Sequence, residues 1–401
     1  MKKNKKLLKQ CKGKIRVAVL TAIRSEYDLL HPLIKALNDA KDFDVGVIVA
    51  GAHLTKLHNY SVKNIENDGF KIISKIKNFT MSNLGNTPRG RVESSGKLLQ
   101  KISVELDKYA PDLFIFLGDR EEALVAAMAS LYLGIPSIHI AGGDNACPEG
   151  GDVDEEARHA TTKLSHLHLT MAKAHENRLK KLGEERWRIK TVGNPGLDRI
   201  RNEPPIEINQ ILRKFSISKG SKYLILIYHA ISSGVSVAPR ELELCIKAGL
   251  KTNLDIFIGS PNSDPGYKDL LAVIEKYKSN PKIHVYNNFP RGDFISLLRN
   301  AELIIGNSSL GILEASFIGL PCINVGQRQV GRLAGNNVQF VKPKLSEISP
   351  ALEKAIHDKR YIKSVKDSKS IYGDGFMVKK ALEFIRDLPS KELILAKKIT
   401  Y

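Results

Sequence analysis

Short apolar segments recur along this chain of 401 residues, and most are followed by a polar or Gly-rich turn and then by an amphipathic helical pattern. Two of these segments are LFIFL at Leu113–Leu117 and YLILIY at Tyr223–Tyr228. Their alternation with helical patterns predicts parallel strands in a doubly wound α/β fold. The alternation runs from Lys14 to Val192 and starts again at Tyr223, so it predicts two such domains.

The segment Gly193-Asn194-Pro195-Gly196 separates the two series and is the predicted domain boundary. A chain of this length suffices for two domains with a core each. We expect a Rossmann-like N-terminal domain over residues 1–193, with the candidate catalytic carboxylates, and a Rossmann-like C-terminal domain over residues 194–375, with the candidate ligand-binding loops. Residues 376–401 are expected to form a helix that returns to the N-terminal domain. Two such domains facing a cleft form an arrangement that binds nucleotide sugars.

The composition, with 42% hydrophobic and 26% charged residues, is that of a globular protein. No apolar run reaches the length that crosses a membrane, and no apolar region follows the basic start of the chain. We therefore expect a cytoplasmic protein without a membrane partner. The four cysteines lie far apart, which argues against structural zinc and against a disulfide framework.

The formal net charge of +19 is the main argument for a nucleic-acid partner. Against it, the lysines are spread over the whole chain, aromatic residues make up only 6%, and no nucleic-acid-binding motif is present. We therefore expect no nucleic-acid partner. The charge would still attract anionic substrates over distances of about a Debye length. The chain also lacks G-x-G-x-x-G after its first strand, so an ordinary NAD site is not expected.

The stretch Leu303–Arg332 reads as a strand, a polar loop, a helix, a second strand and a basic loop. Ser308 and Ser309 lie where the helix over Ile312–Ile318 would begin, and Arg328 lies in the basic loop. Ligands of open parallel sheets bind at the carboxyl ends of strands, and a helix N-terminus there favours phosphate. The stretch therefore predicts a diphosphate site. The alternative is an ordinary serine-capped helix with surface arginines.

Carboxylates follow several predicted strands of the N-terminal series. Asp119 comes directly after LFIFLG, Asp144 ends the segment HIAGGD, and Asp154 and Glu155 begin a helix. Carboxylates that converge at strand ends suit general acid–base chemistry, because burial and mutual repulsion raise some of their pKa values. Asp119 and Asp154 could instead be ordinary helix caps. A metal site is the minority alternative, because the spacing matches no known metal-binding loop.

His229 follows an apolar strand of the second series and could donate to a phosphate or take part in proton transfer. In contrast, His166 and His168 are expected to be packed or partly exposed strand residues. Glu314, in the predicted helix after the diphosphate loop, needs another role, such as binding ribose hydroxyls.

Together these motifs resemble the UDP-N-acetylglucosamine 2-epimerase family, most closely the hydrolysing branch that supplies N-acetylmannosamine for sialic acid synthesis. The matching segments run in the family's order: TAIRSEYDLLHPL, FLGDREEALVAA, HIAGGD, DEEARHATTKLSHLHL, VGNPGLD, His229 and GNSSLGILEASFIGLPCINVGQRQVGR. They span about Thr21 to Arg332, and the last is long and specific. The resemblance implies two Rossmann-like domains of the glycosyltransferase B type.

The resemblance also implies the roles of the site residues. The substrate-binding set, which would hold the UDP-linked substrate, comprises Arg24, Arg120, Asn262, Ser308, Ser309, Glu314 and Arg328, and the catalytic set comprises Asp119, Asp144, Asp154 and His229. Some relatives have glutamate as the third residue of the His-x-x-Gly-Gly motif, where this chain has Ala141, so the division of acid and base roles stays open. Relatives usually have proline and then threonine after His229, whereas this chain has Ala230-Ile231-Ser232-Ser233.

The implied reaction is elimination of UDP to a 2-acetamidoglycal, followed by addition of water that releases UDP and N-acetylmannosamine. It requires neither a redox cofactor nor a metal. The alternative substrate is a UDP- or GDP-linked 2,4-diacetamido-2,4,6-trideoxyhexose, as in legionaminic-acid-type pathways. A non-hydrolysing epimerase, a glycosyltransferase of the same fold and a UDP-sugar-binding protein remain further alternatives. A homodimer or homotetramer is expected from the family alone.

Overall fold

The apolar segments form the strands of two parallel sheets in the computed structural model, which describes residues 7, 13–56, 60–79, 87–146, 153–230, 236–261, 266–287 and 289–400. The chain divides into two units. The first takes its residues from Met1–Asp144, Val153–Arg199 and Gly373–Tyr401. The second takes its residues from Ile200–Tyr372, together with the short piece Asn145–Asp152.

The first unit contains a seven-stranded sheet of order β3-β2-β1-β4-β5-β6-β7. Its strands are β1 (Ile15–Thr21), β2 (Phe43–Ala50), β3 (Ile72–Ile76), β4 (Leu113–Leu117), β5 (Ser137–Ile140), β6 (Leu167–Thr170) and β7 (Ile189–Thr191). Its helices are α1 (Arg24–Asp39), α2 (Val62–Asn67), α3 (Pro88–Tyr109), α4 (Glu121–Tyr132), α5 (Val153–Leu164), α6 (Lys173–Lys181) and the start of α7 (Pro195–Asn202). Single 3-10 turns lie at Gly51–Leu54 and Arg186–Arg188.

The second unit contains a six-stranded sheet of order β10-β9-β8-β11-β12-β13. Its strands are β8 (Tyr223–Ile227), β9 (Asp255–Gly259), β10 (Ile283–Tyr286), β11 (Leu303–Gly306), β12 (Cys322–Val325) and β13 (Val338–Val341). Its helices are α8 (Ile208–Lys214), α9 (Ala238–Lys251), α10 (Tyr267–Tyr277), α11 (Arg291–Arg299), α12 (Leu310–Leu313), α13 (Leu345–His357) and α14 (Lys359–Lys366), with a 3-10 turn at Ala315–Ile318. The chain then re-enters the first unit with α15 (Met377–Arg386) and α16 (Lys391–Leu395).

Burial on both faces explains why the sequence of strand β4 lacks polar residues. Leu113, Ile115 and Leu117 belong to one hydrophobic core. Phe114 and Phe116 belong to another. Successive side chains of a strand point to opposite faces, so β4 is buried on both faces of the sheet. The predicted α/β fold class with two doubly wound Rossmann-like sheets is confirmed.

The strand order reverses direction between β1 and β4 in the first unit and between β8 and β11 in the second. The crevices at the carboxyl ends of these strand pairs are the places where doubly wound sheets bind ligands. They are lined by the loops after β1, β4, β8 and β11, which carry most of the predicted site residues.

The division between the units falls a few residues later than the predicted boundary at Gly193, and the return to the first unit comes earlier than residue 376. Asp198 explains why the start of α7 stays with the first unit. Its carboxylate accepts hydrogen bonds from the backbone N–H groups of Met377 (2.7 Å) and Val378 (3.0 Å), at the start of α15.

The prediction of one helix over Ile312–Ile318 is wrong. α12 ends at Leu313, and Glu314, with φ −123° and ψ −40°, separates it from the 3-10 turn at Ala315–Ile318. A Cβ atom on Gly311 would lie 2.3 Å from Cys322 Sγ, so this turn rests directly on β12. One helical turn has little macrodipole, so the N-terminus of α12 contributes little positive charge to a phosphate site.

Within the described residues, no helix is long and apolar enough to cross a membrane.

Candidate active site

Asp119 follows β4 at the crevice of the first unit. It is bonded through Oδ2 to Nη2 of Arg158, a residue of α5 that is 2% exposed. The other side of the guanidinium, Nη1, is bonded to Glu155. These carboxylates and Asp144 raise the pKa of Arg158 although burial alone would lower it, so this side chain stays cationic. Asp119 is therefore held by a fixed charge while its own side chain remains 35% exposed.

His139 of β5 connects the turn before Asp119 with helix α5. Its Nε2 lies 2.7 Å from the carbonyl oxygen of Gly118, and its Nδ1 lies 3.2 Å from Thr162 Oγ1. Burial lowers the pKa of His139 to about 3, so the ring is neutral. A carbonyl can only accept, so Nε2 carries the proton and Nδ1 accepts from Thr162. Gly142 leaves room for this bond, because a Cβ atom there would lie 2.9 Å from both partners.

Asp154 lies in the first turn of α5 and not at its N-cap, so the capping alternative for this residue is wrong. Arg91 of α3 donates from Nη2 to Asp154 Oδ1 (2.9 Å) and to Glu121 Oε2 (2.7 Å). Asp119 is not a cap either, because Arg120 occupies the N-cap of α4. Both candidate carboxylates are thus held by cations from other helices.

Asp144 is the third candidate carboxylate, and it is buried, with 1% of its surface exposed. Its Oδ1 lies 3.3 Å from Nε2 of His175, which is itself fully buried. Gly143, with φ +77°, makes this turn possible, because a Cβ atom there would lie 2.6 Å from the carbonyl oxygen of His175. Asp144 is therefore less exposed than Asp119 and Asp154.

Glu26 and Glu122 are carboxyl groups with raised pKa values, and sequence reasoning did not select them. Burial raises the pKa of Glu26 to about 8, and repulsion by Glu122 adds to the rise. Burial likewise raises the pKa of Glu122, although Arg120 opposes the shift. Glu26 Oε2 accepts from the backbone N–H of Ala22 (3.0 Å), and Glu122 Oε2 accepts from Arg120 Nε (3.2 Å). The sequence signal that could have selected them is their position, with Glu26 shortly after β1 and Glu122 shortly after β4.

Two predicted substrate-binding arginines of this unit are engaged by carboxylates. Arg24 lies 3.7 Å from Asp28, and Arg120 contacts Glu122 as described above. Among the residues that the structure describes, no group of three or more His, Cys, Asp or Glu side chains is placed to hold a metal ion.

The crevice of the second unit is organised by Asn307, directly after β11. Its Oδ1 accepts the backbone N–H of His229 at 2.7 Å, and its Nδ2 donates to the carbonyl of His229 at 2.7 Å. The carbonyl of Asn307 in turn accepts from Arg328 Nη1 (3.1 Å) and Gln329 Nε2 (3.4 Å). The loops after β8, β11 and β12 are thus joined at one residue, which sequence reasoning did not select as a site residue.

Gly306 permits this arrangement. Its φ is +131°, and a Cβ atom would lie 2.0 Å from the carbonyl oxygen of Ile227. Ser309 occupies the N-cap of α12 but makes no capping hydrogen bond with its side chain, whereas Ser308 Oγ accepts from Leu310 N–H at 3.4 Å. Asn262 lies outside the described residues.

The two crevices have different chemical capacities. The first unit presents carboxylates in contrasting environments, some paired with buried cations and others with raised pKa values, which is the arrangement that acid–base chemistry requires. The second unit presents serine hydroxyls, an imidazole and a guanidinium on joined loops, which are groups that bind phosphate oxygens.

Comparison with known proteins agrees with these capacities. The family model described as UDP-N-acetylglucosamine 2-epimerase matches residues 35–386. The chain is 32% identical over 383 residues to UDP-N,N'-diacetylbacillosamine 2-epimerase (hydrolyzing) from Legionella pneumophila, a match that covers 95% of this chain and 98% of that protein. It is 29% identical over 347 residues to GDP/UDP-N,N'-diacetylbacillosamine 2-epimerase (hydrolyzing) from Campylobacter jejuni, covering 85% and 88% of the two chains.

Among solved structures, the fold is similar to that of UDP-GlcNAc 2-epimerase from Neisseria meningitidis bound to UDP-GlcNAc. The TM-score is 0.77 at 19% identity, with 92% of this chain and 99% of that chain covered. At this identity the similarity concerns the fold.

Proposed function

Because this chain belongs to the UDP-N-acetylglucosamine 2-epimerase family, we propose that it is a hydrolysing 2-epimerase of a UDP-linked 2,4-diacetamido-2,4,6-trideoxyhexose. It is a nucleotide-sugar 2-epimerase on the strength of the family. The finer substrate rests on the relative of 32% identity, which aligns over nearly the whole of both chains and is named for diacetylbacillosamine. This substrate was the alternative in the sequence analysis and is now favoured over UDP-N-acetylglucosamine.

The carboxylates of the first unit carry the proposed chemistry. A base removes the proton at carbon 2 of the sugar while the bond between carbon 1 and the UDP oxygen breaks, and UDP leaves with the electron pair. Water then adds its hydroxyl to the glycal at carbon 1, and carbon 2 receives a proton on the opposite face. Asp119 and Asp154 are the candidates for these transfers, because each is partly exposed and held by an arginine. Elimination and addition pass no electrons to a carrier, so the proposal includes no cofactor.

The buried carboxyls set the electrostatics of this chemistry. The proton at carbon 2 is only weakly acidic. A carboxylate base can therefore remove it at a useful rate only if the pKa of the carboxyl is raised or the product of the proton transfer is strongly stabilised. The observation that carries the proposal is the combination of Asp119, held by the buried Arg158, with the raised pKa values of Glu26 and Glu122 nearby. Asp144, being buried against His175, is assigned a supporting role at the end of β5.

The loops of the second unit are assigned to the leaving group. Ser308, Ser309 and Arg328 would bind the diphosphate, Glu314 the ribose hydroxyls, and His229 a phosphate oxygen as negative charge builds on UDP. Asn262 keeps its sequence-based assignment to UDP, and Arg24 and Arg120 keep theirs to the substrate. A homodimer or homotetramer is part of the proposal, and sedimentation velocity would test it.

The second candidate substrate is UDP-N-acetylglucosamine, with UDP and N-acetylmannosamine as products. The description of the matching family model supports it. Both candidates share the reaction and the site, and they differ at carbons 4 and 6 of the sugar.

The deciding experiment is product NMR with UDP-N,N'-diacetylbacillosamine, its GDP-linked counterpart and UDP-N-acetylglucosamine. We expect free UDP and the free 2-epimer, with the highest kcat/KM for the first substrate. A 2-epimer that keeps its UDP would overturn the hydrolysing mode, and turnover that needs a sugar acceptor would indicate a glycosyltransferase. The variant Asp119→Asn should bind UDP normally and lose turnover, while Asp107→Asn, at an exposed position of α3, should behave as the wild type. Binding of UDP-sugar without any turnover in the wild type would leave only the binding-protein alternative.

A further inference from the structure

The last residues of the chain lie beyond the region that the family model matches, which ends at residue 386. They are nevertheless built into the first unit. Arg188, which is fully buried, donates to the carbonyl oxygens of Ile394 (2.6 Å), Ala396 (3.0 Å) and Leu393 (3.3 Å). A guanidinium in this position satisfies carbonyl groups that a helix end leaves without partners, so Arg188 secures the end of α16.

Lys397, which follows this anchored turn, reaches across to the end of α5. Its ammonium donates to the carbonyl oxygens of Ser165 (2.6 Å) and Lys163 (2.7 Å), with Thr162 at 3.4 Å. It also lies 2.8 Å from Glu184 Oε2. Its side chain is only 16% exposed. An ammonium has three hydrogens, and the three short contacts use them all.

The charged groups around Lys397 come from several elements. Lys163 of α5 and Lys397 both contact Glu184, and His168 of β6 donates to the same carboxylate at 3.0 Å. In addition to burial, Arg188 contributes to the lowered pKa of Lys397, and Lys397 in turn contributes to the lowered pKa of His166. Burial of the Glu184 carboxyl would raise its pKa, but the bonds from His168 and Lys397 lower it to about 2, so the anion persists. Burial lowers the pKa of Lys397 to about 8, against the pull of Glu184.

Helix α5 connects this contact with the catalytic candidates. The helix carries Asp154 in its first turn, Arg158 one turn later and Thr162 in its last turn. Arg158 is bonded to Asp119. Thr162 donates to the ring of His139, and the same ring donates to the carbonyl oxygen of Gly118. Arg158 precedes Thr162 by four residues, about 6 Å along the helix axis, so we expect a shift of the end of α5 to shift the guanidinium as well. Small displacements of catalytic groups cost large factors in rate.

We propose that Lys397 is a positioning residue, which holds the end of α5 so that Arg158 keeps Asp119 in its working geometry. Residues 391–397 thereby become part of the support of the active site. The inference rests on the proposed epimerase function for its catalytic consequence, while the contact with α5 stands without it.

The test uses the full chain and three variants. Lys397→Met removes the charge and keeps most of the volume, Lys397→Arg restores the charge, and Lys398→Met changes an exposed neighbour that follows the same turn. We expect Lys397→Met to lower kcat about tenfold or more with KM within about threefold, because a misplaced group affects the transition state more than binding. Lys397→Arg should recover at least about half of the lost kcat, and Lys398→Met should match the wild type.

Hydrogen exchange gives a readout independent of turnover. The amides of α5 should exchange about tenfold faster or more in Lys397→Met and not in Lys398→Met, because the end of the helix opens more often. Wild-type kcat should also decline more steeply than that of Lys397→Arg as pH rises through about 8, since arginine stays charged while Glu26, whose pKa is also about 8, titrates in both proteins.

Wild-type values of kcat and α5 exchange in Lys397→Met would overturn the inference, as would faster α5 exchange with unchanged kcat. Failure of Lys397→Arg to recover either quantity would also overturn it. If the wild-type protein turns over no nucleotide sugar, the proposed function fails, and α5 exchange alone still decides whether Lys397 holds the helix. Should Lys397→Met not fold, the comparison of wild type and Lys397→Arg across pH decides the matter.

Discussion

Asn307 binds the backbone of His229 from both sides, with its amide accepting the N–H and donating to the C=O of the same residue, each at 2.7 Å. This pair of hydrogen bonds joins the loops after β8 and β11 at the point where the strand order of the second sheet reverses. The carbonyl of Asn307 receives Arg328 as well. One residue therefore fixes the backbone that presents the imidazole and the loop that carries the guanidinium.

Replacing Asn307 with Asp should weaken UDP binding. The carboxylate keeps the acceptor for the N–H of His229 but faces the carbonyl of His229 with a second acceptor. An unmade buried hydrogen bond costs about 1–3 kcal/mol, which corresponds to roughly 5- to 150-fold in Kd if the loops separate. Isothermal titration with UDP measures the effect. Asn336→Asp, at an exposed asparagine, is the control, and equal Kd values for the two variants would contradict the prediction.

Gly306→Ala should destabilise the protein strongly. The residue has φ +131°, and the added methyl would lie 2.0 Å from a backbone oxygen that cannot move aside. We expect a loss of more than about 3 kcal/mol in the free energy of unfolding, or no soluble protein. Gly96→Ala in α3 meets no atom within 4 Å and should be neutral or stabilising by about 0.5–1 kcal/mol. Denaturant unfolding distinguishes the two, and a similar midpoint for both variants would refute the steric argument.

Glu26→Gln should change how stability depends on pH. The pKa of Glu26 is about 8 in the folded protein and close to 4.5 when unfolded, so the folded state binds more protons between these values. Its contribution is present in full below pH 4.5 and is lost as pH rises through 8. The variant should therefore match the wild type near pH 5 and exceed it by about 1–3 kcal/mol near pH 9.

Thermal unfolding at the two pH values measures this difference for Glu26→Gln. Glu275→Gln, at an exposed carboxylate, should show no such divergence. Parallel stability curves for wild type and Glu26→Gln would mean that the carboxyl is not buried as described.

Arg91→Met should reduce turnover and leave UDP affinity unchanged. The substitution removes the cation that bridges Asp154 and Glu121, so both carboxylates lose the hydrogen bond that this cation donates. We expect kcat to fall about 10- to 100-fold, the usual cost of disturbing a group that orients a catalytic side chain. Steady-state UDP release and UDP titration measure the two quantities. Arg89→Met, at an exposed arginine of the same helix, should retain full activity. A wild-type rate for Arg91→Met would mean that turnover does not depend on the bond from Arg91 to Asp154.

Elements with strong local signals were predictable from sequence. The bounds of β4 agree with the LFIFL segment, and those of β8 agree with YLILIY to within one residue, because an apolar run between turn residues is a local property. Glu314 is the instructive failure. Its surroundings are apolar and helical in pattern, but Gly311 packs so closely on Cys322 that the chain forms two short turns. Close packing against a neighbouring strand overrode local preference.

The same division holds for the site. Sequence alone placed Asp119 and Asp144 after strands of the first series and His229 after a strand of the second, and it predicted that the carboxylates converge, since parallel strands end together at one edge of a sheet. It did not select Arg91, Arg158, Glu26 or Lys397 for roles in the site. Their significance depends on partners far away in the chain, and a pKa depends on burial and on charges that other elements bring near. The sequence by itself determined most of the elements, the doubly wound character of the two sheets and the chemistry available at the ends of their strands. Only the tertiary structure decided which cation holds which carboxylate, because that choice is made by packing between helices.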